Sequence, residues 1–259
     1  HFDHDLGRTL LGGDTAALFD ELFGRRTGLC GGKGGSMHVA DLELGMLGAN
    51  GIVGGGPPLI CGTALAAKRR KQGNVAVAFV GDGGSNQGTT FESLNLAKIW
   101  NLPAIFVVED NGYAEATSSK WSIGAESNAE RARGFGLPAV RVDGDDFFAV
   151  YEAAGEAVQR ARDGGGPTLV DCQLNRYYGH FEGDAQTYRG PDEVKKLRAD
   201  HDCIARFSSR VIETGELAES ELAAIDQDVF KLIEDAVTAA KSAAKPAAEE
   251  LLTDVYVSY

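Results

Sequence analysis

The sequence predicts an α/β fold, a parallel sheet flanked by helices with a helical C-terminal tail. Three observations carry this. Two apolar, β-rich runs, 74–80 and 103–110, each stop on a turn dipeptide. A helical spacing of apolar residues, 86–100, lies between them. From Pro191 onward the pattern is helical throughout.

Taken in order, a helix is expected over 59–71, after a glycine-rich turn. Asn74–Val80 (NVAVAFV) reads as a buried strand ending on Gly81-Asp82-Gly83. Residues 86–100 carry apolar side chains at 91, 94, 96, 97, 99 and 100 and read as a helix. Pro103–Asp110 (PAIFVVED) is a second buried strand, ending on Asn111-Gly112. Residues 139–142 and 168–174 are further strand candidates. Between them a helix over 146–162 stops at Gly164-Gly165-Gly166-Pro167, with Asp145 or Asp146 as its N-cap. Alternation of strand and helix implies a parallel sheet with helices on both faces. Residues 216–244 are rich in Ala, Glu and Lys and form an amphipathic helix that packs on the domain or on a partner. No linker or internal repeat divides the chain, so 1–259 is expected to be one α/β domain with its helical tail from about 191.

Composition narrows the function classes. A chain of 259 residues with 43% apolar content buries a full core without staples. No run of about 18 apolar residues suggests a membrane span. The stretch His1-Phe2-Asp3-His4-Asp5 has neither the basic nor the apolar region of a signal peptide. Cys30, Cys61, Cys172 and Cys203 form no C-x-x-C pair, and Cys61 and Cys172 sit among apolar residues. Reduced thiols and a cytoplasmic location are expected. The net charge of −13 disfavours nucleic-acid binding. A phosphorylated cofactor remains compatible if backbone amides or a metal ion offset its charge.

Ligands of an open α/β sheet sit outside the carboxyl ends of its strands. Two such ends are recognisable: Gly81-Asp82-Gly83-Gly84 and Asp110-Asn111-Gly112-Tyr113. A single helix joins them, so Asp82 and Asn111 can converge. That point suits a hard cation: Asp82 offers a carboxylate oxygen, Asn111 an amide oxygen and Tyr113 its carbonyl. Gly81, Gly83 and Gly84 let backbone approach a phosphate, and the helix near Asn86 aims its N–H groups there. Asp-Gly or Asn-Gly alone marks no more than a turn. The combination, with residues 84–110 between Gly83 and Asn111, is far more specific.

In that combination the chain resembles the thiamine-diphosphate enzymes, and more closely the alpha subunits of the first component of 2-oxo acid dehydrogenase complexes. The resemblance runs through GDGGSNQGTTFESLNLAKIWNLPAIFVVEDNGYAEAT (81–117), GGKGGSMH (31–38), GANGIVG (48–54), RYYGHFEGDAQTYRGPDE (176–193) and LLTDVYV (251–257). Within the family, residues 178–189 resemble the acetoin-cleaving members; pyruvate and branched-chain members usually carry a Ser-rich loop after the matching His. The resemblance implies the thiamine-diphosphate-binding fold. It implies Mg2+ held by Asp82, Asn111 and the Tyr113 carbonyl, with Gly83 and Gly84 on the diphosphate. Gly51 and Val53 would offer backbone groups to the aminopyrimidine ring. His180 would reach the active site as a catalytic and cofactor-contacting residue, and His38 would lie near it. Read without the resemblance, Gly51–Gly56 equally makes a tight turn before a helix, and a lone His is more often a surface or hydrogen-bonded residue than a catalyst. The segment 181–184 reads as a solvated acidic loop rather than a second metal site. The family also pairs an aromatic or His residue with Arg on the N-terminal side. The matching place falls near Asp3-His4, where no Arg stands; Arg8 is the nearest.

Other motifs fail. Thr27–Lys33 followed by Gly34 lacks the first Gly and the final Ser/Thr of a Walker loop. Asn86 stands where the dinucleotide fingerprint needs its third Gly, which disfavours a nicotinamide-dependent oxidoreductase. Ser85 is not in Gly-x-Ser-x-Gly.

The resemblance further implies an α2β2 heterotetramer, because in this family the Glu that acts on the aminopyrimidine comes from the beta subunit, and the sequence offers no candidate for it. The expected activity is acetoin cleavage with transfer of the acetyl unit to a lipoyl-bearing acyltransferase. Alternatives are a pyruvate or other 2-oxo acid dehydrogenase alpha subunit, and a non-catalytic assembly subunit of the same fold. No nucleic-acid or membrane partner is expected.

Overall fold

The computed structural model describes residues 14–253. Asp3, His4, Arg8 and residues 254–257 of the C-terminal motif lie outside that range. The chain begins with α1 (Thr15–Leu22) and continues through α2 (Gly56–Arg70), β1 (Ala76–Gly81), α3 (Gly88–Ile99) and β2 (Ala104–Asp110). A small hairpin, β3 (Tyr113–Ala114) and β4 (Thr117–Ser118), leads into α4 (Ser119–Ser122) and α5 (Asn128–Gly134). Then come β5 (Ala139–Asp143), α6 (Phe147–Arg162), β6 (Thr168–Gln173), α7 (Glu193–Asp200), α8 (Cys203–Glu213) and α9 (Glu219–Ser242). The chain divides into two compact units, one formed by Ile52–Glu216 and one by the segments ending at Gly51 and starting at Leu217.

The unit Ile52–Glu216 holds the parallel sheet, in the order β1-β2-β6-β5. The expected flanking by helices holds on both faces, and the pleat shows why. Alternate residues Ala76, Ala78, Val80, Ala104, Phe106, Val108 and Leu169 point to one side and pack with residues of α2, α3 and α5. Ile105, Val170 and Cys172 point to the other side and pack on Ala153 and Ala157 of α6. Small residues on the helices bring them close to the strands. Cys61 and Cys172 are buried as expected, and all four cysteines are free thiols. Among the described residues, no helix is long and apolar enough to cross a membrane.

The helix over 146–162 begins at Phe147, and Asp146 is its cap, accepting from the Phe148 and Ala149 N–H groups. Asp145 takes another role: it is buried and accepts from Asn175 Nδ2 at 2.7 Å. The helix expected from 86 starts later. Residues Gly84–Asn86 form a 3-10 turn, and α3 proper begins at Gly88.

In the other unit, α1 packs on α9. Asp14 caps α1. Glu21 is fully buried, and its two carboxylate oxygens accept four backbone N–H groups: Cys30 and Gly32 on one, Gly34 and Gly35 on the other. A glycine-rich segment whose only regular element is the 3-10 turn Gly35–Met37 is thereby folded around one side chain.

Candidate functional site

Strands β1 and β2 are adjacent and parallel, with Gly81 opposite Glu109. Continued by one residue, that register sets Asp82 beside Asp110, immediately before Asn111. Asp82 is 1% exposed, and its Oδ2 has no hydrogen-bond partner. Burial, reinforced by the Asp110 carboxylate, pushes its pKa up to about 6; its own N–H, that of Gly83 and the Arg176 guanidinium oppose the shift. A buried carboxylate with an orphan oxygen beside a like charge is an arrangement that a cation would complete.

Beyond β2 the chain reverses at Gly112, whose φ of +86° suits glycine. Asn111 Oδ1 accepts the Tyr113 N–H at 3.2 Å. The Tyr113 carbonyl accepts from Arg176 Nη1 at 3.1 Å. The same Nη1 lies 3.3 Å from His180 Nδ1. Guanidinium only donates, so Nδ1 is the acceptor of this contact. Arg176 Nη2 donates to the Glu115 carbonyl and to Tyr188 Oη.

Asp184 organises the loop that carries His180. It accepts the His180 and Gln186 N–H groups and the Tyr188 hydroxyl, which hold its carboxyl down at about 2. Tyr188 packs on Tyr113, with ring centroids 5.1 Å apart. His180 itself is exposed. One arginine thus ties the loop after β6 to the loop after β2.

The glycines after β1 are required by the protein's own packing. A Cβ at Gly83 would sit 2.5 Å from Ala114 Cβ, and one at Gly84 2.5 Å from Val80 Cγ2. Gly81 has open space instead. Val53, in the loop before α2, packs against this turn: its Cγ1 would be 3.6 Å from a Cβ at Gly84. Thr89 Oγ1 donates to the Gly54 carbonyl at 2.9 Å, fixing the 52–55 loop against the start of α3.

Of the residues expected at the site, Val53, Asp82, Gly83, Gly84, Asn111, Tyr113 and His180 therefore share one unit, at the carboxyl ends of its strands. Gly51 and His38 belong to the other unit. There they adjoin each other: a Cβ at Gly51 would meet Met37 Cε at 2.8 Å and His38 Cε1 at 3.7 Å. Among the described residues no group of three His, Cys, Asp or Glu side chains forms a metal cluster. The residues expected to hold a metal, Asp82, Asn111 and Tyr113, would offer oxygens of another kind: one carboxylate, one amide and one carbonyl. Arg176 was missed from sequence. It stands four residues before His180 in a loop, where no periodicity reveals which side chain points inward.

Comparison with known proteins identifies the family. The sequence profile of the family described as "Dehydrogenase E1 component" matches residues 5–249. The chain is 58% identical over 96% of its length to the alpha subunit of acetoin:2,6-dichlorophenolindophenol oxidoreductase from Cupriavidus necator, covering 74% of that protein. It is 52% identical to the protein of the same name from Bacillus subtilis, with the same coverage. The alpha subunit of the pyruvate dehydrogenase E1 component from Rhizobium meliloti is 41% identical over 97% of this chain and 72% of its own length.

Proposed function

The chain belongs to the dehydrogenase E1 component family, and on that premise we propose that it is the alpha subunit of a thiamine-diphosphate-dependent acetoin dehydrogenase. The observation that carries the substrate is the order of similarity: both acetoin-oxidising relatives match this chain better than the pyruvate dehydrogenase subunits do. The His180 loop supports it, because Phe181, Glu182 and Gly183 stand where pyruvate-type members usually carry serines.

The site fits thiamine diphosphate with Mg2+. Asp82 offers its unpartnered buried oxygen, Asn111 its amide oxygen and Tyr113 its carbonyl. A cation at Tyr113 would share that carbonyl with Arg176 or take its place. Gly83 and Gly84 would bring backbone to the diphosphate, and Val53 would face the aminopyrimidine. When bound, the cofactor would supply carbanion chemistry toward a substrate carbonyl. His180, with Nδ1 facing Arg176, can present Nε2 to a substrate oxygen as a hydrogen-bond donor.

The reaction is cleavage of acetoin between its carbonyl and carbinol carbons. Acetaldehyde leaves, and the acetyl unit passes to the oxidised lipoyl group of an acyltransferase partner. A beta subunit completes the site in an α2β2 assembly by supplying the Glu that faces the aminopyrimidine. Ile225, Val229, Phe230 and Ile233 stand exposed on α9 at helical spacing, the kind of apolar stripe a partner covers. Free thiols, one of them on the exposed Cys203, support a cytoplasmic location.

Pyruvate decarboxylation with the same acceptor is the second reading, favoured by the pyruvate dehydrogenase relatives. The reconstituted alpha–beta pair is expected to release acetaldehyde from acetoin faster than carbon dioxide from carboxyl-labelled pyruvate; the reverse order would make it a pyruvate enzyme. Purified alpha chain alone is expected to be inactive, and turnover matching that of the pair would refute the shared site.

A further inference from the structure

Four successive carbonyls shape the turn that carries Asp82, Gly83 and Gly84. The Asp82 carbonyl accepts from Ser85 Oγ at 2.7 Å and Asn86 Nδ2 at 3.4 Å. The Gly83 carbonyl accepts from the Asn86 N–H, and the Gly84 carbonyl from the Gln87 N–H and Thr90 Oγ1. All these donors are local. The Ser85 carbonyl instead accepts from Arg131 Nη2 at 3.1 Å, and Arg131 Nη1 reaches Ser85 Oγ at 3.3 Å.

Arg131 stands on α5, 46 residues along the chain, and is held in place from three sides. Its Nη1 also donates to the buried Asn128 Oδ1 at 3.1 Å. Its guanidinium carbon lies 4.6 Å from the centre of the Phe91 ring, a cation–π contact. The N-terminus of α5 is itself fixed: Ser127 caps it, and buried Asp171 accepts the Ala129 N–H. The fork fixes the Ser85 hydroxyl as well. Guanidinium has no acceptor, so Ser85 Oγ accepts from Arg131 and its one proton goes to the Asp82 carbonyl.

We propose that Arg131 is a positioning residue that holds the Asp82–Ser85 turn in the shape that binds the metal and diphosphate, acting through Ser85 and touching neither ligand. The inference rests on the proposed cofactor reading. It requires the planar fork of arginine: lysine supplies the charge and not the pair of parallel donors.

The test uses the reconstituted alpha–beta complex, stripped of cofactor and titrated with thiamine diphosphate at fixed Mg2+. Arg131→Met is expected to raise the thiamine diphosphate Kd on the order of tenfold, the loss of one charged hydrogen-bond pair. Arg131→Lys is expected to fall between the two. The KM for acetoin at saturating cofactor is expected to stay at the wild-type value, which general loosening of the fold would not allow. Ser85→Ala is a milder variant for use if Arg131→Met folds poorly; it too is expected to raise the Kd. An unchanged Kd in these variants overturns the role of Arg131. A Kd, acetoin KM and cofactor-free thermal midpoint that all worsen together overturn it too, in favour of a purely structural role. Failure of the wild-type complex to bind thiamine diphosphate overturns the proposed function itself.

Discussion

Asp82→Asn is expected to stabilise the cofactor-free protein while abolishing its metal binding. Asp82 is buried and titrates near 6, against 3.8 for an ordinary Asp. A carboxylate pKa raised on folding favours the folded state fully only below the unfolded value. That advantage is lost as pH rises through the folded value, because the unfolded chain ionises more easily. The gap corresponds to roughly 3 kcal/mol of destabilisation at pH 8, falling to about half of that at pH 5. Asn removes the ionisation and keeps one oxygen for the N–H groups of residues 82 and 83. The assay is thermal unfolding of cofactor-free wild type and variant at both pH values. At pH 8 the variant is expected to melt higher, by up to about 10 °C for a chain of this size, with a smaller gain at pH 5. A variant less stable than wild type at pH 8, or a gain independent of pH, would refute the reasoning. A bound cation would offset the cost of that buried charge.

Other perturbations probe the supports around the site. Glu21→Ala leaves four backbone N–H groups without their acceptor and is expected to cost about 4 kcal/mol or more, read as a fall in thermal midpoint. Gly84→Ala drives a Cβ against Val80 Cγ2 and is expected to cost about 1–3 kcal/mol; adding Val80→Ala is expected to recover part of that in denaturant unfolding. Arg176→Met removes the donor shared by Tyr113 and His180 and is expected to speed proteolysis within residues 176–190 and lower acetoin turnover at least about tenfold.

The sheet was legible in the sequence because its central strands β2 and β6 are buried on both faces, and even β1, with Phe79 exposed, keeps an unbroken apolar run. NVAVAFV and PAIFVVED are continuous apolar runs with abrupt polar ends, so their carboxyl ends, and with them Asp82 and Asn111, can be read directly. The position of β6 between β2 and β5 was not legible, since no local pattern orders strands that follow helices. The start of α3 was misplaced by a 3-10 turn that obeys no apolar period. Helix α5 escaped notice because its seven residues owe their helix to tertiary anchors, Ser127 and Asp171. Arg176 and Arg131 were invisible for a related reason: the carbonyls they serve lie 63 and 46 residues away. The glycines after β1 were legible as necessary, yet the atoms that require them are Ala114 and Val80.

The most direct test of the central claim is calorimetric titration of thiamine diphosphate into the alpha–beta complex, with and without Mg2+, for wild type and Asp82→Ala. Saturable binding that needs the metal and vanishes in the variant is the predicted result. Binding that persists without a divalent cation, or is undiminished in Asp82→Ala, would contradict the assignment of the two strand ends as a metal–diphosphate site.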